Sequence, residues 1–279
     1  MNSVTNFLIF YISSAIISTT YAVAVLAPLP QSQLPVPPPL QLQFPALLLQ
    51  NAPPPPFDYM YLAMQWPPAT CNSKPNTCYR PIIADKFTIH GLWPNVRGAK
   101  TPGPIGCAGA PFDITKLNNA AFKKELYKLW PSVTIKGTNE FFWEHEWKTH
   151  GTCSPFGLAD YFETTLRRAQ EVDLLNILIS AGIKPDDSLY LIDDIKKALK
   201  AHNIEAVIRC KNMKGNVLEL HEIRICVDKS GKHFEACDKS EEGCGNKTPN
   251  KIKFASAQSA ISTTPAPPPP VSSRIIIRY

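Results

Sequence analysis

The chain has 279 residues and a formal net charge of +6, with a sequence pI of about 8.8. No Asp, Glu, Lys or Arg occurs before Asp58, which excludes an ordinary soluble surface for the opening stretch. The basic excess permits a polyanionic partner without requiring one.

Residues 1–24, "MNSVTNFLIFYISSAIISTTYAVA", read as a secretory signal peptide: a short apolar run followed by the small-residue site Ala22-Val23-Ala24. An uncleaved membrane anchor is the alternative, but the run is short for a span and broken by Ser and Thr. Residues 25–56 are dense in proline, which blocks helix and sheet and predicts an extended, disordered linker or removable pro-segment. Residues 57–257 are then the folded domain, and 258–279 a disordered tail with its own proline run.

Within the domain, "FDYMYLAMQW" (57–66) predicts a buried strand ended by Pro67 and Pro68, and "KFTIHGLW" (86–93) a second strand closed by Gly91 and Pro94. Apolar residues at helical spacing predict a helix over 113–130 capped by Asp113, and another over 139–151 stopped by Gly151. Residues 157–182 form a long amphipathic helix or a helix pair ended by Gly182, and 188–203 a further helix capped near Asp193. After Ile204, "EAVIRCK", "VLELHEIRICVD" and "KIKFA" alternate apolar and polar residues as antiparallel strands do. Strands at both ends with helices between predict an α+β domain, an antiparallel β-sheet core flanked by helices. The eight cysteines, Cys71, Cys78, Cys107, Cys153, Cys210, Cys226, Cys237 and Cys244, all lie in this domain. An even count behind a secretory signal predicts four disulfide staples, for which sequence alone allows on the order of a hundred pairings. A zinc cluster would prefer C-x-x-C pairs, and there are none.

Three of the six histidines fall in two aromatic-rich segments, His90 in "FTIHGLWP" and His145 and His150 in "FFWEHEWKTHGTC". As a helix turning about 100° per residue, with His145 at zero, the second segment puts Thr149 near 40°, Glu146 near 100° and His150 near 140° on one face. Lys148 falls at about 300°, off that face. A zinc metallopeptidase carries its histidines four residues apart; here they are five apart and diverge by about 140°. What remains is proton-transfer chemistry. Two imidazoles serve as an acid–base pair, while a glutamate and a third histidine stabilise a charged transition state. That set suits cleavage of an RNA phosphodiester without metal, with flanking aromatics stacking on bases.

"FTIHGLWP" (87–94), "FWEHEWKTHGTC" (142–153) and "MQWPPATC" (64–71) resemble segments of the ribonuclease T2 family, secreted acid ribonucleases that use no metal or cofactor. The resemblance spans about residues 57–257. It implies His90 as general acid, His150 as general base, His145 as an auxiliary phosphate-binding histidine and Glu146 as a transition-state stabiliser. Trp93 would line a base site, with Gln65, Phe142 and Thr149 also facing substrate. The implied products are a 2′,3′-cyclic phosphate and a free 5′-OH. The implied disulfides are Cys71–Cys78, Cys107–Cys153, Cys210–Cys244 and Cys226–Cys237. The implied partner is single-stranded RNA, not DNA, bound by a secreted, extracellular or vacuolar monomer. The basic pI leans toward the plant S-ribonucleases of self-incompatibility, which would add a pollen-side protein partner; Asn246 in Asn246-Lys247-Thr248 is a glycosylation sequon. One position departs from the family, which usually carries Lys before the second catalytic His, where this chain has Thr149. This predicts a slowed enzyme, with a catalytically weakened recognition or storage protein as the alternative.

Overall fold

A computed structural model describes residues 56–73, 77–99, 103–213, 216–238, 243–244 and 250–258. The predicted signal peptide, the proline-rich segment except Pro56, the sequon at Asn246 and the tail beyond Gln258 lie outside the described residues. No described helix is long and apolar enough to cross a membrane.

The elements run β1 (Tyr59–Gln65), α1 (Pro67–Ser73), β2 (Thr88–Asn95), a 3₁₀ turn (Ile114–Leu117), α2 (Ala120–Leu129), α3 (Asn139–Thr149), a 3₁₀ turn (Gly151–Cys153), α4 (Leu158–Gln170), α5 (Leu174–Ser180), β3 (Leu189–Leu191), α6 (Ile192–Lys200), β4 (Ala206–Asn212), β5 (Leu218–Val227) and β6 (Lys251–Lys253). The sheet order is β2-β1-β5-β6-β3, and β4 pairs with β5. Pairing is antiparallel except where β6 meets β5, at Glu219 opposite Lys253, so the sheet is not wholly antiparallel.

One sheet face carries the main core. Met60, Leu62 and Met64 of β1 and Ile223 and Ile225 of β5 meet Trp143, Tyr161, Phe162 and Leu166 from the helices, all buried. Alternation puts Tyr61, Ala63 and Gln65 on the other face, where they pair with Cys226, Arg224 and Glu222 of β5. That second face carries the cleft described below.

Several predicted elements are subdivided, and side-chain capping accounts for most of it. Pro67 and Pro68 do not simply end β1; they open α1, since proline is tolerated in a first helical turn, where its missing N–H is not needed. The predicted helix over 113–130 is two pieces. Asp113 accepts from the Thr115 N–H and caps the 3₁₀ turn, while Asn119 accepts from Phe122 N at 3.0 Å and starts α2 afresh. Residues 157–182 are the helix pair α4 and α5, the second capped by Asp173. Residues 188–203 begin as β3. Leu191 is then the N-cap of α6 with no side-chain bond, so Asp193 sits in the first turn, where a carboxylate meets the positive end of the helix dipole, rather than capping.

Four disulfides close the described chain: Cys71–Cys78, Cys107–Cys153, Cys210–Cys244 and Cys226–Cys237. Cys107–Cys153 spans a sequence separation of 46 and ties the turn after α3 to the preceding loop. On loop-closure entropy alone, removing it with Cys107→Ala/Cys153→Ala should cost about 4 kcal/mol. Urea denaturation of the double variant should show a midpoint lowered accordingly.

Candidate active site

The cleft begins with an irregularity in β2. The β1–β2 register pairs Ala63 with Gly91 and Met64 with Ile89, leaving His90 as the extra residue of a β-bulge. Ile89 and Leu92 both point into the core, so His90 and Gly91 both fall on the opposite face, together with Trp93. The Trp130 indole donates to the His90 carbonyl at 3.0 Å and fixes the bulged backbone. His90 leaves 32% of its side chain open to solvent.

Helix α3 delivers the second part. Thr138 caps it, accepting from Phe141 N, and two indoles anchor it: Trp143 donates to Trp130 O and Trp147 to Ala110 O, each at 2.8 Å. Between these tryptophans Glu146 is driven inward and is 1% exposed. Its Oε2 accepts from Trp93 Nε1 at 2.8 Å, and its Oε1 lies 4.0 Å from His90 Nε2. Gly91 makes room for this carboxylate, because a Cβ there would collide with both Glu146 Oε2 and the Trp93 indole nitrogen. His150 follows the last residue of α3, its ring stacked on Trp93 with centroids 5.0 Å apart and planes 29° from parallel. The Trp93 ring also meets His90 edge-on at 4.9 Å, so one indole touches both histidines.

The helical face drawn from the sequence is therefore divided by depth. Glu146 forms the floor, Thr149 and His150 are half-buried, and His145 is exposed. Lys148 turns away and pairs with Glu144 at 2.6 Å, while the Thr149 carbonyl accepts from Gly106 N at 2.7 Å. Phe142 lies beside His90 at 5.9 Å between ring centroids. Gln65 sits on the cleft side of β1 but is 4% exposed; its Nε2 donates to Ile89 O at 3.5 Å and its Oε1 accepts from Thr70 Oγ1 at 3.4 Å, so it underlies the cleft rather than lining it.

Strand β5 supplies residues that the sequence motifs did not point to. Its pairing with β4 passes from Glu222 opposite Arg209 to Leu220 opposite Cys210, making His221 the extra residue of a second bulge. Leu220 and Ile223 face the core, and His221 and Glu222 share the cleft side. Glu222, 2% exposed, accepts from His90 Nδ1 at 2.6 Å and receives Arg224 Nε and Nη2 on its other oxygen at 3.0 and 2.9 Å. His221 Nδ1 is 3.7 Å from the same carboxylate, and its Nε2 is 3.3 Å from Thr70 Oγ1. The Arg224 guanidinium lies over Trp93, 4.6 Å from the ring centroid.

The ribonuclease T2 family model matches residues 57–237, which holds every one of these groups. The chain belongs to the ribonuclease T2 family. Ribonuclease 3 of Arabidopsis thaliana is 37% identical over 189 residues, 65% of this chain and 83% of that protein. The "ribonuclease-like storage protein" of Panax ginseng is 34% identical over 209 residues, 72% of this chain and 85% of that one. Among solved structures, a mutant of ribonuclease MC1, a protein of bitter gourd seeds, in complex with 5′-GMP superposes with a TM-score of 0.63 at 32% identity, covering 71% of this chain and all of that one.

The electrostatics of this T2 family cleft separate its titratable groups. Burial opposes protonation of His90, but the hydrogen bond and charge of Glu222, with the charge of Glu146, outweigh it and hold His90 above its usual value. Burial, reinforced by the charges of His90, His145 and Arg224, pulls His150 down to about 3. Burial pushes Glu146 up to about 7, against the charge of His90 and the Trp93 hydrogen bond. Burial also takes His221 down to about 4, although the Glu222 charge resists. Glu222 itself stays below the usual carboxylate range: burial would raise it, but the His90 hydrogen bond and the charges of His90, Arg224 and His221 prevail. At mildly acidic pH His90 is therefore a cation on a carboxylate and His150 a neutral imidazole. Among the described residues no three His, Cys, Asp or Glu side chains converge to hold a metal ion.

Two outcomes follow for stability. Gly91→Ala should destabilise the fold by about 1–3 kcal/mol, the usual cost of overpacking, measured by urea denaturation. Glu146 stays neutral to about pH 7 folded but to only about 4.5 unfolded, so its protonated form favours the fold fully below 4.5 and that contribution is lost as pH rises through 7. In Glu146→Gln the stability loss between pH 5 and 8 should be smaller than in wild type, measured as unfolding free energy against pH.

Proposed function

We propose that the chain is a secreted endoribonuclease that cleaves single-stranded RNA by acid–base transphosphorylation without a metal. The observation that carries this reading is the pairing of His90, held as a cation by Glu222, with a neutral His150 across the Trp93 indole. Complementary protonation states are what a general acid and a general base need at one pH.

In the first step His150 takes the proton of the ribose 2′-OH, and the 2′-oxygen attacks phosphorus. His90 donates its proton to the 5′-oxygen as the P–O5′ bond breaks. The products are a 2′,3′-cyclic phosphate and a free 5′-OH, with His150 now protonated and His90 neutral. Water then opens the cyclic phosphate with the two roles reversed, restoring both imidazoles and leaving a 3′-phosphate. Glu146, neutral below about pH 7, donates a hydrogen bond to a phosphorane oxygen where an ionised carboxylate would repel it. His145 at the mouth adds a group that reaches phosphate. Phe142, half-buried next to His90, offers a ring on which a base stacks, whereas Trp93 is occupied by His150, Arg224 and Glu146 and acts as the platform that positions them.

Secretion is supported by the four closed disulfides, which persist in oxidising compartments, together with the apolar leader. The similarity to a ribonuclease-like storage protein keeps a weakened, non-enzymatic member as the competing reading, and Thr149 is the residue that motivates it.

One assay separates the two: cleavage of RNA homopolymers in EDTA across pH. Wild type should cleave, and His90→Ala and His150→Ala should each lose about 10²–10⁴-fold in kcat. Absence of cleavage by correctly folded wild type would overturn the enzyme reading. Activity should fall as pH rises through the raised His90 value. Glu222→Gln, which removes the carboxylate that contributes most to raising it, should move that limb to lower pH.

A further inference from the structure

A phosphorane carries negative charge on its equatorial oxygens, and the cleft as proposed stabilises it with one carboxyl and one exposed imidazole. The lysine of the second motif does not contribute: Lys148 is 60% exposed and held on Glu144 at 2.6 Å, and the residue before His150 is Thr149. A different cation faces the cleft. We propose that Arg224 of β5 is the fixed phosphate-binding cation of this site, contacting the scissile phosphate through its guanidinium. The assignment rests on the ribonuclease reading above and deepens it.

Four observations carry it. Arg224 pairs with Ala63 of β1 on the cleft face of the sheet, opposite the strand that holds His90 and Trp93. Its guanidinium is locked on two sides, by Nε and Nη2 on Glu222 Oε2 and by the Trp93 ring 4.6 Å away, so its position is set before substrate arrives. Nη1 lies outside both bonds to Glu222, and 20% of the side chain remains open to solvent. The same carboxylate that orients Arg224 also holds His90, so cation and general acid keep a fixed spacing. A planar guanidinium with spare donors matches a phosphate, and two cations, protonated His90 and Arg224, share the one carboxylate of Glu222, so the cluster keeps a net positive charge for the anion.

The test is titration with inorganic phosphate, followed by the imidazole NMR signals, alongside kcat on a homopolymer. Arg224→Gln should weaken phosphate binding at least tenfold and lower kcat by about 10²–10³-fold. Adding Thr149→Lys to Arg224→Gln should restore a large part of both, while Lys148→Ala should change neither. A role confined to positioning His90 through Glu222 predicts something else: the basic limb of the pH profile shifts and phosphate affinity stays within twofold of wild type. That result would overturn the proposal. Should Arg224→Gln fail to fold because Glu222 Oε2 loses both of its Arg224 hydrogen bonds and the buried carboxylate is left to His90 and His221, Glu222→Gln/Arg224→Gln removes that charge as well. Its phosphate affinity should be at least tenfold below that of Glu222→Gln, and equality would overturn the assignment. If wild type cleaves no RNA, the ribonuclease reading fails, and the phosphate titration still decides whether Arg224 binds the anion.

Discussion

A single buried carboxylate organises the cleft. Glu222 lies almost wholly out of water in the middle of the sheet, where an unpaired charge would cost several kcal/mol. It is tolerated because three cationic or donor groups converge on it from different parts of the chain: His90 from β2, Arg224 two residues along its own strand, and His221 beside it. The same pairing fixes the protonation state of His90, orients the guanidinium over Trp93 and, through Trp93, sets where Glu146 and His150 sit. Loss of that carboxylate would leave the Arg224 guanidinium without its counter-charge and remove the main support for a protonated His90.

Backbone irregularity is the second requirement. A regular strand alternates its side chains, so neighbours such as His90 and Gly91, or His221 and Glu222, would point to opposite faces. Both pairs straddle a β-bulge, and both are flanked by core residues, Ile89 and Leu92 in one strand, Leu220 and Ile223 in the other. Each bulge thus turns an extra polar residue toward the cleft without removing an apolar one from the core. Gly91 then leaves the space above the sheet that the Glu146 carboxylate fills.

The helix segment was readable because its residues are dense in rare types. "FFWEHEWKTHGTC" and "FTIHGLWP" point to acid–base chemistry by composition and spacing, and the wheel placed Lys148 away from Glu146, as its pairing with Glu144 shows. What the wheel could not give was depth. His145 and Glu146 are adjacent in sequence, yet one is exposed and the other buried, because Trp143 and Trp147 dock that side of α3 against the interior. Subdivision of the predicted 113–130 helix was equally hidden, since Asp113 and Asn119 are both competent caps and only packing selects both.

By itself the sequence determined the α+β class, the two histidine segments and the number of cysteines, because hydrophobic periodicity and residue type act locally. The family assignment follows from the same local patterns. Only the tertiary structure decided that "HEIR" in β5 belongs to the cleft. Glu222 and Arg224 look like the polar half of an amphipathic strand, and nothing in their spacing marks them out. Their significance comes from long-range pairing, with Gln65 and Ala63 of β1 opposite them and His90 one strand further on, more than a hundred residues away in sequence. Contacts at that separation, and the protonation states they impose, arise from the fold and are not written in any local stretch of chain.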